Sequence, residues 1–169
     1  MIVIADTSPI NYLILIGEQD LLHLLFGGVI IPWQVLQELR VNATPSAVRQ
    51  WIGQPPAWLL IRKTTKSPDS TLSHLDDGEI EAIQLAEEMR ADLLLVDEKA
   101  ARKEAAKRHL ATSGTLGVLD LAAERGLVDF SESLARLKQT SFRFSASVER
   151  FFLVRDARRK STKPETIDS

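Results

Sequence analysis

Residues 75–102, LDDGEIEAIQLAEEMRADLLLVDEKAAR, read as a helix, a tight connection, a buried strand and the start of a second helix. Asp76 or Asp77 is placed to cap the first helix, because a short acidic side chain accepts from unpaired N–H groups there. Ile80, Ala82, Ile83, Ala86 and Met89 then follow helical spacing. Leu93 to Val96 is a continuous apolar run, as expected of a parallel strand covered on both faces. Asp97 closes that run, at the carboxyl end of a strand, where open α/β sheets bind their ligands.

The helix sorts its own carboxylates. Glu79 shares the inward face of Ile83 and Ala86, whereas Glu81, Gln84 and Glu88 share a face with no large apolar residue and are expected in solvent. An inward carboxylate at a helix start has two readings: the capping box Asp76-x-x-Glu79, or a functional acid aimed at the strand end that carries Asp97.

Outward from this stretch, Ile2–Ala5 is a β-branched strand ending at Asp6, and Ser8 with Pro9 opens a helix that stops at Gly17. A short helix LLHLLF follows Asp20. Val29–Ile31 is a strand, Pro32–Arg40 a helix, and Thr44-Pro45 opens another ending at Gly53. Trp58–Arg62 reads as an edge strand, and the polar residues 63–74 as a mobile loop. Beyond Asp97 come a charged helix to Arg108, a short strand near Leu110 and Ala111, a helix opened by Gly114-Thr115, a helix capped by Ser131, and a last helix over 145–160. Residues 161–169 read as a frayed tail. Strands alternating with helices predict a three-layer α/β/α sandwich around a parallel sheet, in one domain over 1–160 with 131–160 as a helical extension.

Composition narrows the chemistry. Without cysteine, the chain has no disulfide, thiolate metal site or thiol nucleophile. A net charge of −2 makes any nucleic-acid contact a local patch. No apolar run spans a bilayer, and the start MIVIAD looks like a strand and not a leader, so the expected location is the cytoplasm. No phosphate-binding glycine loop is present. His23, His74 and His109 share no motif and read as packing or surface residues.

Four acids remain: Asp6 and Asp97 at strand ends, Glu38 late on one helix and Glu79 early on another. Singly, Asp6 reads as a turn residue, Glu38 as a surface acid beside Arg40, and Asp97 as a helix cap. Together they would repel by about 4 kcal/mol per pair at 4 Å and an effective dielectric near 20, which calls for a cation or shared protons. All-oxygen clusters suit Mg²⁺ or Mn²⁺.

IVIADTSP, PWQVLQELR, DDGEIEAIQLA, ADLLLVDEKAAR and GTLGVL, in this order, resemble the PIN-domain family of metal-dependent ribonucleases. Within that family the chain is similar to the branch of PIN-fold nucleic-acid-binding proteins related to VapC-like toxins. The likeness runs to about residue 128 and loosely beyond. It implies metal-binding, catalytic acids at Asp6, Glu38, Glu79 and Asp97, with Glu79 where toxin enzymes often carry Asp. Small hydroxyls matching such sites fall on Thr7, Ser8 and Thr115, each with a turn or cap as its plain alternative. It further implies Mg²⁺ or Mn²⁺ as cofactor, RNA as substrate with 5′-phosphate and 3′-hydroxyl products, a small antitoxin protein, and a second copy of the chain as a further partner. Leu13, Leu21 and Leu24 are candidate antitoxin contacts if exposed.

Lys99, Arg102 and Lys103 follow Asp97 within a turn and a half, so some of them border the pocket, with Arg102 reading either as a phosphate contact or as part of a solvated helix face. Arg155, Arg158, Arg159, Lys160 and Lys163 form a basic tail, for solubility or RNA. Trp33, Trp51 and Trp58 read as core or interface anchors ahead of base-stacking platforms. The alternative class is a catalytically inactive PIN-fold module that binds nucleic acid or protein. A response-regulator receiver fits less well, because Asp6 is followed by Thr7-Ser8 and Glu38 sits in a helix.

Overall fold

The computed structural model describes residues 1–163. The chain divides into two compact units, Met1–Thr115 and the residues from Leu116 on. The first unit is built on β1 (Val3–Ala5), β2 (Val29–Pro32), β3 (Leu59–Arg62), β4 (Leu93–Leu95) and β5 (Thr112–Ser113), all parallel, in the order β3-β2-β1-β4-β5. Helices α1 (Thr7–Leu15), α2 (Leu21–Phe26), α3 (Trp33–Arg40), α4 (Ser46–Gly53), α5 (Asp77–Glu88) and α6 (Lys99–Lys107) flank this sheet. The expected α/β sandwich with a central parallel sheet is therefore present.

The central strands β1 and β4 are covered on both faces, which is why they carry apolar residues without alternation. Ile4, Ile30 and Leu94 join Ile80, Ile83 and Ala86 of α5 and Ala101 and Ala105 of α6 in one cluster. Their strand neighbours Val3, Ala5, Ile31 and Leu95 are equally buried and point the opposite way. The chain adds β2 and β3 on one side of β1, then returns to add β4 and β5 on the other. The sheet order thus reverses between β1 and β4, and the crevice at their carboxyl ends is the topological switch point. Asp6 and Asp97 follow those two ends.

The second unit holds α7 (Thr115–Glu124) from its second residue on, α8 (Phe130–Lys138) and α9 (Ala146–Thr162). The Phe130 and Phe152 rings stack at 5.9 Å. Asp120 accepts from Arg155 at 2.9 Å and Arg159 at 3.2 Å, and Asp156 pairs with Arg159 at 3.1 Å and Lys160 at 2.9 Å. Most of the basic tail is therefore an internal clamp. Of the frayed tail expected over 161–169, Ser161 and Thr162 are helical, and residues 164–169 lie outside the described residues.

Several local expectations shift. Helix α1 starts two residues before Pro9 with Asp6 in the cap position, so Ser8 lies inside the helix and caps nothing. Asp129, not Ser131, caps α8 by accepting from the Glu132 N–H at 3.0 Å. Strand β5 lies two residues later than the Leu110-Ala111 reading, because the Leu94 N–H takes the Ala111 carbonyl and Val96 that of Ser113.

The largest correction concerns α5, which is buried on every side from Gly78 to Ala86. Glu81 and Gln84, expected in solvent, lie under the 63–74 segment. Glu81 accepts from the Gln34 N–H at 2.6 Å and the Thr64 N–H at 3.1 Å, and the Gln84 amide donates to the Ser67 carbonyl at 2.8 Å. Glu88 takes the hydroxyls of Thr64 and Thr65 at 2.7 and 2.6 Å. Arg108 pairs with Asp69 at 3.1 Å, ahead of a 3₁₀ turn (Ser70–Leu72) that buries Leu72. Polar composition suggested a mobile loop, yet its backbone N–H groups find fixed partners on α5, and it is fastened.

Removing Glu81 would leave two N–H groups without acceptors. Glu81→Ala should destabilise the fold by about 1–3 kcal/mol, while Glu81→Gln, which keeps one acceptor, should lose less. Urea unfolding of the two variants checks the order, and equal, negligible losses would contradict it.

Candidate metal centre

Each acid is delivered by a different element. Asp6 leaves β1 and stands at the start of α1, where the N–H of its neighbour Thr7 supports its carboxylate. Glu38 stands in the last turn of α3, two residues before its end, and α5 opens against it. The Gly78 N–H donates to Glu38 Oε1 at 2.9 Å, and the Thr7 hydroxyl donates to Oε2. Asp76 is the N-cap of α5. Its carboxylate accepts from the Glu79 N–H at 2.8 Å, while Glu79 Oε2 accepts from the Asp76 N–H at 3.0 Å, completing the capping box.

Among the described residues, Asp6, Glu38 and Asp76 each bring one carboxylate oxygen within 4.8 Å of the others. Asp76 is the member that sequence reasoning assigned to capping alone. The doubled acid Asp76-Asp77, one residue more than a cap needs, was the available signal. Glu79 is buried at the same helix start and exerts its charge on Asp6. Asp97 lies beyond β4 outside the tight trio. Its two oxygens accept from the Thr115 N–H and the Thr115 hydroxyl, both at 2.7 Å.

Glu38 and Asp97 are therefore held alike: one backbone N–H at a helix start, one threonine hydroxyl, and a glycine beside the carboxylate. The N–H ends of α5 and α7 also carry partial positive charge, which favours an anion. A Cβ on Gly78 would lie 2.5 Å from Glu38 Oε2, and one on Gly114 would lie 2.6 Å from Asp97 Oδ1. Real Cβ atoms do not approach so closely, so both glycines are apertures through which a carboxylate reaches backbone. Of the remaining sequence candidates, Ser8 is half-buried, Lys99 and Arg102 are exposed on the first turn of α6, and Arg102 lies close enough to favour the Asp97 carboxylate.

Burial pushes the Asp6 carboxyl well above the usual carboxylate range, and the charges of Asp76, Glu79 and Glu38 push the same way. Burial likewise raises Glu38 and Asp97, against hydrogen bonds from Thr7 and Thr115 respectively. Glu79 is raised from an ordinary 4.5 to about 6, first by burial and then by Asp76, Glu98 and Glu38, with the Asp76 N–H opposing.

A cation fits this donor set. Asp6 Oδ1 is buried with no hydrogen-bond partner, although buried polar atoms are nearly always satisfied. The neighbouring donors are carboxylate oxygens, as hard divalent ions prefer. Asp6, Glu38 and Asp76 would hold such an ion, with the charge of Glu79 acting on Asp6.

A family model described as a PIN domain matches residues 2–156. The chain belongs to the PIN-domain family. No curated protein matches it, and no solved structure does. PIN domains are generally metal-dependent nucleases, so the acids stand in a fold that carries nuclease-type chemistry. The family match reaches into α9, well past the motif-bearing stretch. Among the described residues, no helix of this PIN domain is long and apolar enough to cross a membrane.

Two outcomes follow from this geometry. Gly78→Ala should melt close to the parent, because the Glu38 side chain can swing aside, yet it should lose most of the thermal shift that Mn²⁺ gives the parent. An unchanged Mn²⁺ shift would show that Glu38 need not reach Gly78.

The raised acids also set a pH dependence. Each binds its proton more tightly folded than unfolded, so its contribution is fully present below the unfolded pKa and is lost as pH rises through the folded one. Metal-free protein should accordingly lose stability between pH 4.5 and about 6 through Glu79. Glu79→Gln should flatten that part of the urea-midpoint profile, and a parent profile rising across the window would contradict the assignment.

Proposed function

We propose that this PIN domain is a metal-dependent endoribonuclease that hydrolyses RNA phosphodiester bonds with Mg²⁺ or Mn²⁺. The observation that carries the reading is the meeting of Asp6, Glu38 and Asp76 within 4.8 Å around the orphaned Asp6 Oδ1. That meeting point lies at the switch of the parallel sheet, open to a ligand along the strand ends.

Within this reading, the chain's own groups divide the work. Asp6, Glu38 and Asp76 hold the cation, which when bound supplies Lewis-acid stabilisation of phosphate oxygens and lowers the pKa of water. Glu79 locks the α5 start through its bond to the Asp76 N–H and adds negative charge beneath the site. Asp97, clamped by Thr115, completes the acidic floor and draws Arg102 toward it. Arg102 and Lys99 are then placed to take the oxygens of a substrate phosphate, and the Thr7 hydroxyl keeps Glu38 in position. No histidine takes part. His23 stacks on Trp58 at 5.8 Å, and His74 faces Glu104 at 3.5 Å.

The likeness to VapC-type toxins supports a further step, in which the chain is the toxin of a type II pair. A small antitoxin would present a basic segment to the acidic groove, and a second copy of the chain is a further partner in the cytoplasm. The apolar contacts expected of the early helices contract: Leu13 and Leu21 are buried in the fold, and Leu24 alone of the three is exposed, at 59%. Co-purification with the products of neighbouring genes tests this step. Recovery of a free, harmless protein would favour a nuclease acting alone.

The decisive experiment is an RNA hydrolysis assay with Mg²⁺ or Mn²⁺ on the parent, Asp6→Asn and Asp76→Asn. Asp6→Asn should nearly abolish cleavage, and Asp76→Asn should reduce it strongly. In the absence of metal, Asp6→Asn should melt at or above the parent, since a buried charge among like charges is gone. With metal at 100 times its dissociation constant the parent should gain roughly 2.7 kcal/mol, and the variant should lose most of that gain. Metal-independent cleavage, or a parent that neither cleaves nor shifts with metal, would replace this reading with the inactive binding module.

A further inference from the structure

A groove runs along α5 from its acid-bearing start. It encloses about 430 Å³ between α3, α5 and the fastened 63–68 segment. Trp33 forms one wall, Ile80 lies on the α5 side, and Lys63 and Lys66 stand on the segment opposite. Asp77, adjacent to the cluster member Asp76, marks the end nearest the metal centre.

Trp33 is the unusual member. Trp51 and Trp58 pack together with ring centroids at 5.8 Å and His23 on the far side, as anchors should. Trp33 is instead 43% exposed at the first position of α3, five residues before Glu38. A large aromatic left open at the mouth of a groove favours a flat partner, and stacking is the contact that a nucleobase offers it.

Two lysines and two acids, Asp77 and Glu81, line the groove, with Asp77 at the end toward the metal centre. Glu81 faces the groove, but its oxygens are engaged by the Gln34 and Thr64 N–H groups. The Lys63 and Lys66 side chains make no ion pair closer than 4 Å among the described residues, and both are exposed. The segment that carries them is rigid, because Glu81, Gln84 and Glu88 hold its backbone and hydroxyls. The buried polar face of α5 thus builds a wall with two exposed lysines, Lys66 within reach of the Glu88 charge, beside an open indole.

We infer that this groove is a substrate subsite, in which a base of single-stranded nucleic acid stacks on Trp33 while its flanking phosphates meet Lys63 and Lys66. The strand continues past Asp77 to the acid cluster. The subsite rests on the nuclease reading for its purpose, though binding to it requires neither metal nor cleavage. Base and phosphate chemistry is common to RNA and DNA, so the strand type is settled by direct comparison.

The test is fluorescence anisotropy of labelled twelve-residue oligo(U) and oligo(dT), in EDTA, against the parent, Trp33→Ala, Trp33→Phe and the double variant Lys63→Gln/Lys66→Gln. Trp33→Ala should weaken binding about tenfold or more, and Trp33→Phe should restore most of it. The lysine variant, whose exposed positions spare the fold, should flatten the slope of log affinity against log salt by ~1.4, that is ~0.7 per phosphate contact. Tighter binding of oligo(U) than oligo(dT) makes the subsite one for RNA, and equal binding makes it one for either strand. Affinity and salt slope unchanged in every variant would overturn the inference even if the parent cleaves RNA. A change of oligomeric state in Trp33→Ala with unchanged oligonucleotide affinity would overturn it too, making Trp33 a protein contact. Intact groove binding without metal-dependent hydrolysis would instead remove the nuclease reading and leave the subsite standing.

Discussion

Mutual repulsion among carboxylates gathered around the buried Asp6 is the constraint around which this fold is arranged. Two such groups at 4 Å repel by about 4 kcal/mol at an effective dielectric near 20, and here three share a space 4.8 Å across with a fourth beneath. A chain of this size is stable by only about 5–15 kcal/mol in all. The cluster therefore persists only because rigid elements impose it and compensating dipoles surround it. Thr7 contributes both, with its N–H on Asp6 and its hydroxyl on Glu38. The starts of α5 and α7 contribute the rest through Gly78 and Thr115.

Topology decides where the constraint falls. The reversal of strand order between β1 and β4 leaves a crevice at their carboxyl ends, and the residues leaving those strands must line it. Helix α3 reaches the crevice with its last turn and α5 with its first, so late and early positions on two helices become neighbours. The glycines at 78 and 114 are the price of this approach. Each lets a carboxylate come within bonding distance of a helix start, in space that any other side chain would fill.

The legible part of the sequence was whatever depended on one element alone. Apolar runs without alternation gave β1 and β4, and spacing gave α5, because burial of strands and helices leaves periodic marks. Acids at strand ends were legible for the same reason. What could not be read was cover supplied by a distant segment. Glu81, Gln84 and Glu88 carry the pattern of a solvated face, yet residues 63–74 lie on that face and supply the donors and acceptors that make burial tolerable. Nor could sequence rank Asp76 above Asp97 as a neighbour of Asp6, since the grouping depends on how the start of α5 approaches the end of β1, a distance that no single element records. The capping box at Asp76 and Glu79 was legible and is present, and the cap residue Asp76 also stands in the acid cluster.

That double use follows from helix ends in general. A helix start offers unpaired N–H groups and a partial positive charge, so an acid placed there is stabilised whether or not a cation is near. In the capping box only Asp76 Oδ1 takes a backbone N–H, so its second oxygen is left to the cluster. A cap can thus fix a ligand's geometry before the metal arrives, without an extra residue to orient it. The arrangement extends along the whole of α5: its first turn positions the acids, its middle buries Ile83 and Ala86 against the sheet, and its polar flank holds the 63–74 segment in place. One helix thereby joins the centre that would carry the chemistry to the wall that would guide a strand toward it.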